Sequence, residues 1–376
     1  MQSGGIIIMS KVTVGIIGCG KISSIYMENC KKFDIIDLVA CADIDIHRAQ
    51  EKAAEYDIPK AYTPEELLAD PDIQLVINLT IPAAHASVCL QALEAGKHVY
   101  VEKPLAVTRE EGQKVLQVAK EKGLLVGCAP ETFYGAGIQT ALQLVNDDLI
   151  GKPIAATAFM MSRGHEGWHP DPEFYYQAGG GPMFDMGPYY LTALVQLLGP
   201  IKRITGITGK ALNDRVITSE KKHGKVIPVE IPTHVAGVME FEEGAIGTLI
   251  MSFDIFGGSS LPPIEIYGTK GTLLVPDPNQ FSGVVKYRLM GESEWIDQPL
   301  LFGYEENTRG IAAADMAYAI ESGRPHRASG ELAYHVLEAM WAFHDSSDEH
   351  KHYDMQSTCT RPSPMQKDLA PFTLDN

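Results

Sequence analysis

The chain is short of positive charge, of paired cysteines and of long apolar runs, and each shortage removes a class of function. Its 376 residues carry 31 Lys and Arg against 48 Asp and Glu, a formal charge of -17. A nucleic-acid binder shows a basic stripe, and none is visible here. The longest apolar run near the N-terminus, Ile6–Met9, is far below the ~18–20 residues that cross a membrane. No basic segment precedes it and no small-residue cleavage site follows, so it reads as a short extension ahead of the first strand, not a secretory signal. The six cysteines, at 19, 30, 41, 89, 128 and 359, form no C-x-x-C pair. Most sit in apolar segments, as buried thiols of a reducing cytosol do, and a disulfide scaffold or zinc ribbon does not fit. There is no internal repeat and no low-complexity tract.

With 45% apolar and 21% charged residues, the chain can build a core without disulfides or a structural metal. The expectation is a cytoplasmic, acidic, multidomain enzyme of small-molecule metabolism, with partners that include neither nucleic acid nor membrane.

The first 130 residues alternate two periods. Short continuous apolar runs at Val12–Ile17, Leu38–Ala42, Leu75–Leu79, His98–Val101 and Leu124–Cys128 are separated by amphipathic stretches. Strand, helix, strand at this spacing predicts right-handed βαβ units, and so a doubly wound parallel sheet of the Rossmann kind over residues 1–130. Beyond a further helix at Gly137–Val145 the rhythm changes. Strands from Ile154 to Leu289 follow one another with hairpin punctuation such as Glu242-Glu243-Gly244. Residues 131–376 are therefore expected to form a substrate-binding and oligomerisation domain on a large, mostly antiparallel open sheet. Two amphipathic helices close the pattern (Gly310–Ser322 and Glu331–Phe343), with a loose tail from about residue 361.

Gly15-Ile16-Ile17-Gly18-Cys19-Gly20-Lys21-Ile22-Ser23 lies between the first strand and the first helix. In that context Gly18 permits a tight turn and Gly20 lets a pyrophosphate approach the backbone. The phosphates would rest on the helix N-terminus at Lys21 and Ile22. The third glycine of the pattern is replaced by Ser23. Asp43 ends the second strand, where an acidic group accepts from ribose hydroxyls and repels a 2′-phosphate; this favours NAD over NADP. Asp43 could instead cap the next helix, a role also open to Asp45.

Glu102-Lys103-Pro104 ends the strand at His98–Val101. Ligands of open α/β sheets bind at the carboxyl ends of strands, which places Lys103 in the crevice, where an ammonium can stabilise a developing alkoxide. Thr80, Ile81 and Pro82 line the same edge after another strand, and His85 is expected to orient that loop beneath the cofactor.

Gly18-x-Gly20, Thr80-Ile81-Pro82-Ala83-Ala84-His85, the run from Ala95 to Pro104 and Gly179-Gly180-Gly181-Pro182-Met183-Phe184-Asp185-Met186-Gly187-Pro188-Tyr189 together resemble the Gfo/Idh/MocA oxidoreductases. The resemblance extends from about residue 11 to about 360. It implies a catalytic lysine at Lys103 and a partner carboxylate at Asp185. The position four after that aspartate, often His in the family, is Tyr189 here. A phenol's ordinary pKa is ~10 against ~6.5 for imidazole, so Tyr189 is expected to relay a proton with help from Lys103. Asp185 and Tyr189 are an i, i+4 pair that a helix would present on one face. Because Pro188 suits only a first turn, the helix is expected to begin close to the site. Asp185 as a helix cap and Tyr189 as a core aromatic are the competing roles.

The cluster Arg163-Gly164-His165-Glu166-Gly167-Trp168-His169-Pro170, followed by Phe174-Tyr175-Tyr176, suits a sugar. The apolar ring face would stack on Trp168 while His169 meets hydroxyls. The same loop could be an interface or packing segment. His165, Glu166 and His169 lack H-E-x-x-H spacing, so no metal is expected. The committed expectation is an NAD-dependent dehydrogenase of a sugar or polyol, a homodimer or homotetramer through the second sheet, with Lys103, Asp185 and Tyr189 handling the proton. The cofactor would lie on Gly18, Gly20, Lys21, Ile22, Asp43, Thr80, Ile81, Pro82, His85, Glu102 and Lys103. Two other readings fit the same residues: an NAD-dependent glycosidase that oxidises its sugar transiently, and a non-catalytic NAD- and sugar-binding regulator.

Overall fold

The computed structural model describes residues 10–375; the run Ile6–Met9 lies outside them. Six strands, β1 (Val12–Ile17), β2 (Ile36–Ala42), β3 (Lys60–Tyr62), β4 (Leu75–Asn78), β5 (His98–Val101) and β6 (Val126–Cys128), form an all-parallel sheet in the order β3-β2-β1-β4-β5-β6. Every residue of β4 is buried, as is all of β1 except Thr13. Helices on both faces require that. Between β1 and β4 the strand order reverses, so the connections leave in opposite directions and a crevice opens at the strands' carboxyl ends. The segment Lys60–Ala69, not anticipated as structured, adds the edge strand β3 and a short helix. Its start signal was readable: Thr63 and Glu66 form a reciprocal capping box ahead of Pro64.

The second sheet is built from β7 (Pro153–Met161), β8 (Ile201–Gly209), β11 (His234–Phe241), β12 (Ile246–Ser252), β13 (Ile264–Gly268), β14 (Gly271–Val275), β15 (Val285–Leu289), β16 (Ile296–Gln298) and β17 (Tyr353–Asp354), while β9 (Asp214–Val216) and β10 (Val226–Pro228) pair with each other as a separate hairpin. The nine strands run β16-β15-β14-β13-β7-β12-β11-β8-β17, antiparallel throughout except where β7 meets β12. Alternation in β7 and β12 buries one face and leaves the other open.

Two helices cover the buried face and tie the sheets together. The helix Gly330–Glu349 packs on β8 and on the helix Arg109–Lys122. Gly206 of β8 allows the approach, since a Cβ there would come within 2.4 Å of the Phe343 carbonyl. The helix Gly181–Leu198 is almost wholly buried and packs against the Gly330–Glu349 helix.

The C-terminal residues are irregular but not loose, which corrects the expectation for residues beyond about 361. Met365 and Leu374 are each only 5% exposed, a burial contributing ~1.5–3 kcal/mol per side chain. The Phe372 ring meets Phe33 edge-on at 5.2 Å, and Asp375 pairs with Arg327. Pro and polar composition suggested disorder, but a few apolar anchors at wide spacing suffice to hold an extended segment. Among the described residues no helix is long and apolar enough to cross a membrane.

Candidate active site

Four loops meet at the carboxyl edge of the parallel sheet. After β1, Gly18 adopts φ +104°, and a Cβ there would sit 2.7 Å from the Leu79 carbonyl group; only glycine fits this left-handed, closely packed position. Gly20 faces open space, with nothing within 4 Å of where a Cβ would be. Ser23, in place of the third glycine, is fully buried and donates from Oγ to the Gly20 carbonyl at 2.7 Å, so it braces the turn. Lys21 and Ile22 stand at the exposed rim.

Asp43 is buried and bound to the glycine loop itself. Its Oδ2 accepts from the Cys19 amide at 2.8 Å and its Oδ1 from the Asp45 amide at 3.0 Å, with the Arg48 guanidinium 3.4 Å away. Asp45, not Asp43, caps the following helix, accepting from the His47 amide. That removes the competing role for Asp43.

After β4, Thr80, Ile81 and Pro82 form the rim, with Ile81 70% exposed. His85 lies behind them. It is buried with its ring between the carbonyls of Pro104 (Nδ1, 2.7 Å) and Thr80 (Nε2, 3.0 Å), and burial pushes the imidazole below its ordinary range despite those two carbonyls. His85 thus joins two loops of the edge. Glu102 also turns inward, accepting from the Tyr26 hydroxyl at 2.8 Å and from the Lys103 amide at 2.9 Å. Both are expected among the cofactor contacts, and in this structure both brace the loops of that edge.

Lys103 reaches across to the second domain. Its Nζ donates to the main-chain carbonyl of Asp185 at 2.7 Å and to its carboxylate at 3.2 Å, and lies 5.1 Å from the centre of the Tyr189 ring. Burial alone would lower the ammonium's pKa, but Tyr189, Asp185 and Glu102 more than compensate and hold it above the ordinary lysine range. Burial works against the Asp185 carboxylate as well, and Lys103 with His165 overcome it, leaving the group below its ordinary range.

Asp185 and Tyr189 do share a helix face, but that helix starts at Gly181, with Pro188 in its interior. The expectation that it begins beside the site is corrected. Pro188 has no N–H for the Phe184 carbonyl and its ring crowds the preceding turn. One residue on, the Asp185 carbonyl accepts from Lys103 Nζ. Asp185 lies within the helix and is not its cap.

Two further residues join the site: His165, legible in the sequence only within its polar and aromatic cluster, and Arg309, which no motif marks. His165 places Nε2 2.9 Å from Asp185 Oδ2, and its buried Nδ1 has no partner. Its ring is boxed by Trp168, Tyr175 and Phe253. Arg309 is close enough to feel Tyr189: burial alone would lower its guanidinium, and Tyr189, with Tyr26 and Glu102, raises it. Trp168 is 62% exposed at the mouth of the crevice. His169 stands one ring further out, packed on Trp168, Phe174 and Tyr175 and accepting from the Asp171 amide.

The residues at the edge fit a dinucleotide: an open backbone cradle at Gly20, an acidic group anchored to that cradle and an exposed apolar rim at Ile81. The first domain matches the model described as "Oxidoreductase family, NAD-binding Rossmann fold" over residues 12–129, and the second the "GFO/IDH/MocA C-terminal domain" over residues 138–274.

The chain belongs to the Gfo/Idh/MocA oxidoreductase family.

Among relatives of this family, myo-inositol 2-dehydrogenase of Thermotoga maritima is 26% identical over 340 residues, spanning 89% of this chain and 96% of that protein. An NAD-binding oxidoreductase from Klebsiella pneumoniae superposes with a TM-score of 0.80 at 22% identity, covering 92% of this chain and 99% of the other. Levoglucosan dehydrogenase, solved in complex with NADH and L-sorbose, gives 0.78 at 21% identity, with 93% and 100% covered. These two likenesses show the same two-sheet fold. As a Gfo/Idh/MocA oxidoreductase, the chain pairs an NAD-binding Rossmann domain with the family's C-terminal domain.

Proposed function

We propose that this protein is an NAD-dependent dehydrogenase of a sugar, polyol or sugar derivative, acting in reverse as a ketone reductase. The observation that carries the reading is the Lys103–Asp185 pair, held across the crevice at the carboxyl edge of β5 with Tyr189 beside it. The family relationship and the names of the relatives support it.

NAD would be held by the amides around Gly18 and Gly20, by Lys21 and Ile22 at the helix start, by Asp43 and by the rim at Thr80, Ile81 and Pro82. When bound it supplies the hydride acceptor. The chain's own groups handle the hydroxyl. With its pKa raised, Lys103 remains an ammonium at neutral pH, so it donates a hydrogen bond and stabilises alkoxide charge without itself taking the proton. Asp185 fixes the ammonium's position and balances its charge. Tyr189 relays the proton: the phenol passes its own toward solvent as it takes the hydroxyl's, and the transfer runs backward in ketone reduction. Lys103 lies over the Tyr189 ring, and Arg309 is a second cation coupled to it. His165, held on the other oxygen of Asp185, brings Trp168 to the mouth, where an aromatic face beside polar groups suits a carbohydrate.

Asp43 favours NAD over NADP, since a carboxylate tied to the glycine loop repels a 2′-phosphate. The open face of the second sheet carries Ile207, Val238 and Ile246, all substantially exposed. Large apolar side chains exposed together on an open sheet favour an interface, and we assign this face to a homodimer or homotetramer. Buried free thiols fit a cytoplasmic setting.

The test is NADH formation on incubation with NAD and a panel of polyols and sugars. Product release from glycosides without net NADH would point to the transient-oxidation chemistry instead, and binding without turnover to a regulator.

A further inference from the structure

We propose that the β9–β10 hairpin clamps the substrate loop, with Arg215 as its positioning residue; this rests on the dehydrogenase reading above. The loop of residues 162–177 carries His165, whose Nε2 meets Asp185. The loop makes one turn at His165–His169 and a 3₁₀ turn at Glu173–Tyr176 and is otherwise irregular. A hairpin outside it holds it as well. Arg215, in β9, is 2% exposed and sends its fork in two directions. Nη1 donates to the Arg163 carbonyl at 2.9 Å and to the Glu166 carboxylate at 2.8 Å, while Nη2 donates to the Phe253 carbonyl at 2.9 Å and to Asp254. The guanidinium also lies over the rings of Tyr176 and Phe256. The two loop residues it grips, Arg163 and Glu166, flank His165.

The grip continues through Tyr176, whose hydroxyl bonds Glu166 and accepts from the His165 amide at 3.2 Å. Further along the hairpin the Thr218 and Ser219 amides donate to the Glu166 carbonyl, and Ser219 Oγ donates to the His169 carbonyl. At the outer end Lys221 and Lys222 pair with Asp171, and Lys222 and Lys225 with Glu173. The inner contact is a buried, forked guanidinium that lysine cannot reproduce. The outer contacts are surface ion pairs, individually weak. The arrangement fixes the loop firmly beside Asp185 and more lightly at the crevice mouth.

The experiment compares Arg215→Lys with wild type in three measurements: polyol kinetics, NADH affinity by fluorescence, and amide hydrogen exchange. A displaced loop lowers kcat/KM about 10–100-fold, mostly through KM. NADH affinity stays unchanged, and exchange accelerates over residues 163–169 but not in the parallel sheet. Wild-type KM together with wild-type loop exchange overturns the proposal. If Arg215→Lys does not fold, the triple variant Lys221→Ala, Lys222→Ala, Lys225→Ala, on the hairpin's outer end, carries the test. It predicts a higher KM and faster exchange over residues 171–177, and no change in either overturns the clamp. Exchange needs no substrate, so an enzyme inactive on every polyol defeats the dehydrogenase reading while exchange still decides the clamp.

Discussion

Lys103 Nζ bonds Asp185 twice, once at the main-chain carbonyl and once at the carboxylate. One residue ends a strand of the parallel sheet; the other lies in a helix packed on the antiparallel sheet. The pair therefore exists only when the two domains are docked.

Tyr189→Phe keeps the ring beneath Lys103 and removes only the hydroxyl. Loss of a proton-transfer group costs about 10²–10⁴-fold. Steady-state kinetics should show that loss in kcat with KM little changed. A Phe variant with wild-type kcat would assign Tyr189 to packing.

Asp43→Asn preserves an acceptor for the Cys19 amide and removes the charge that Arg48 faces. Arg48 is then free to meet a 2′-phosphate, and the NADP-to-NAD ratio of kcat/KM should rise about tenfold or more. An unchanged ratio would show that Asp43 serves the loop and not the choice of cofactor.

Much of the parallel domain and its edge was legible because its signals are contiguous: Gly18-Cys19-Gly20 in one turn, Glu102-Lys103-Pro104 at one strand end, Asp185 and Tyr189 one helical turn apart. His165 was visible only as part of a polar and aromatic cluster, since its bond to Asp185 closes over 20 residues of irregular chain. Arg215 acts from a hairpin outside the loop it holds and Arg309 from the turn ahead of the helix Ile311–Ser322, and no local pattern announces either. Pro188 misled because a proline in mid-helix is costly in isolation, ~3 kcal/mol, and the offsetting tertiary contacts are not a local property. The tail misled for a related reason: composition reported polarity, while Met365, Phe372 and Leu374 supply the docking.

Glu131 gives a pH-dependent prediction. It is buried, its Oε2 accepts from the Gly310 and Ala312 amides at a helix start, and burial pushes its carboxyl up to about 7 from an ordinary 4.5. Below the ordinary value both folded and unfolded chains hold the proton. Between the two values the unfolded chain ionises first, so this group's contribution to stability falls as pH rises, and the loss is complete above the folded value. Glu131→Gln retains an acceptor and cannot ionise. Its stability relative to wild type should grow from about pH 5 to about pH 8, by on the order of 2–3 kcal/mol, in denaturant titrations. A difference constant with pH would contradict the assignment.

The open face of the second sheet gives another. Ile207 is paired in register with Ala236, and Val238 with Thr248, so these side chains share one face. Ile207→Lys with Val238→Lys places charge in the assigned interface, and light scattering should show a shift to monomer with NADH binding retained. A double variant of wild-type mass would place the interface elsewhere.

The most direct measurement is the rate of NADH formation by wild type and by Lys103→Met on the best polyol, with NADH binding measured in parallel. The account predicts ready turnover by wild type and a fall of about 10²–10⁴-fold in the variant, at unchanged NADH affinity. Turnover that survives in Lys103→Met would contradict it.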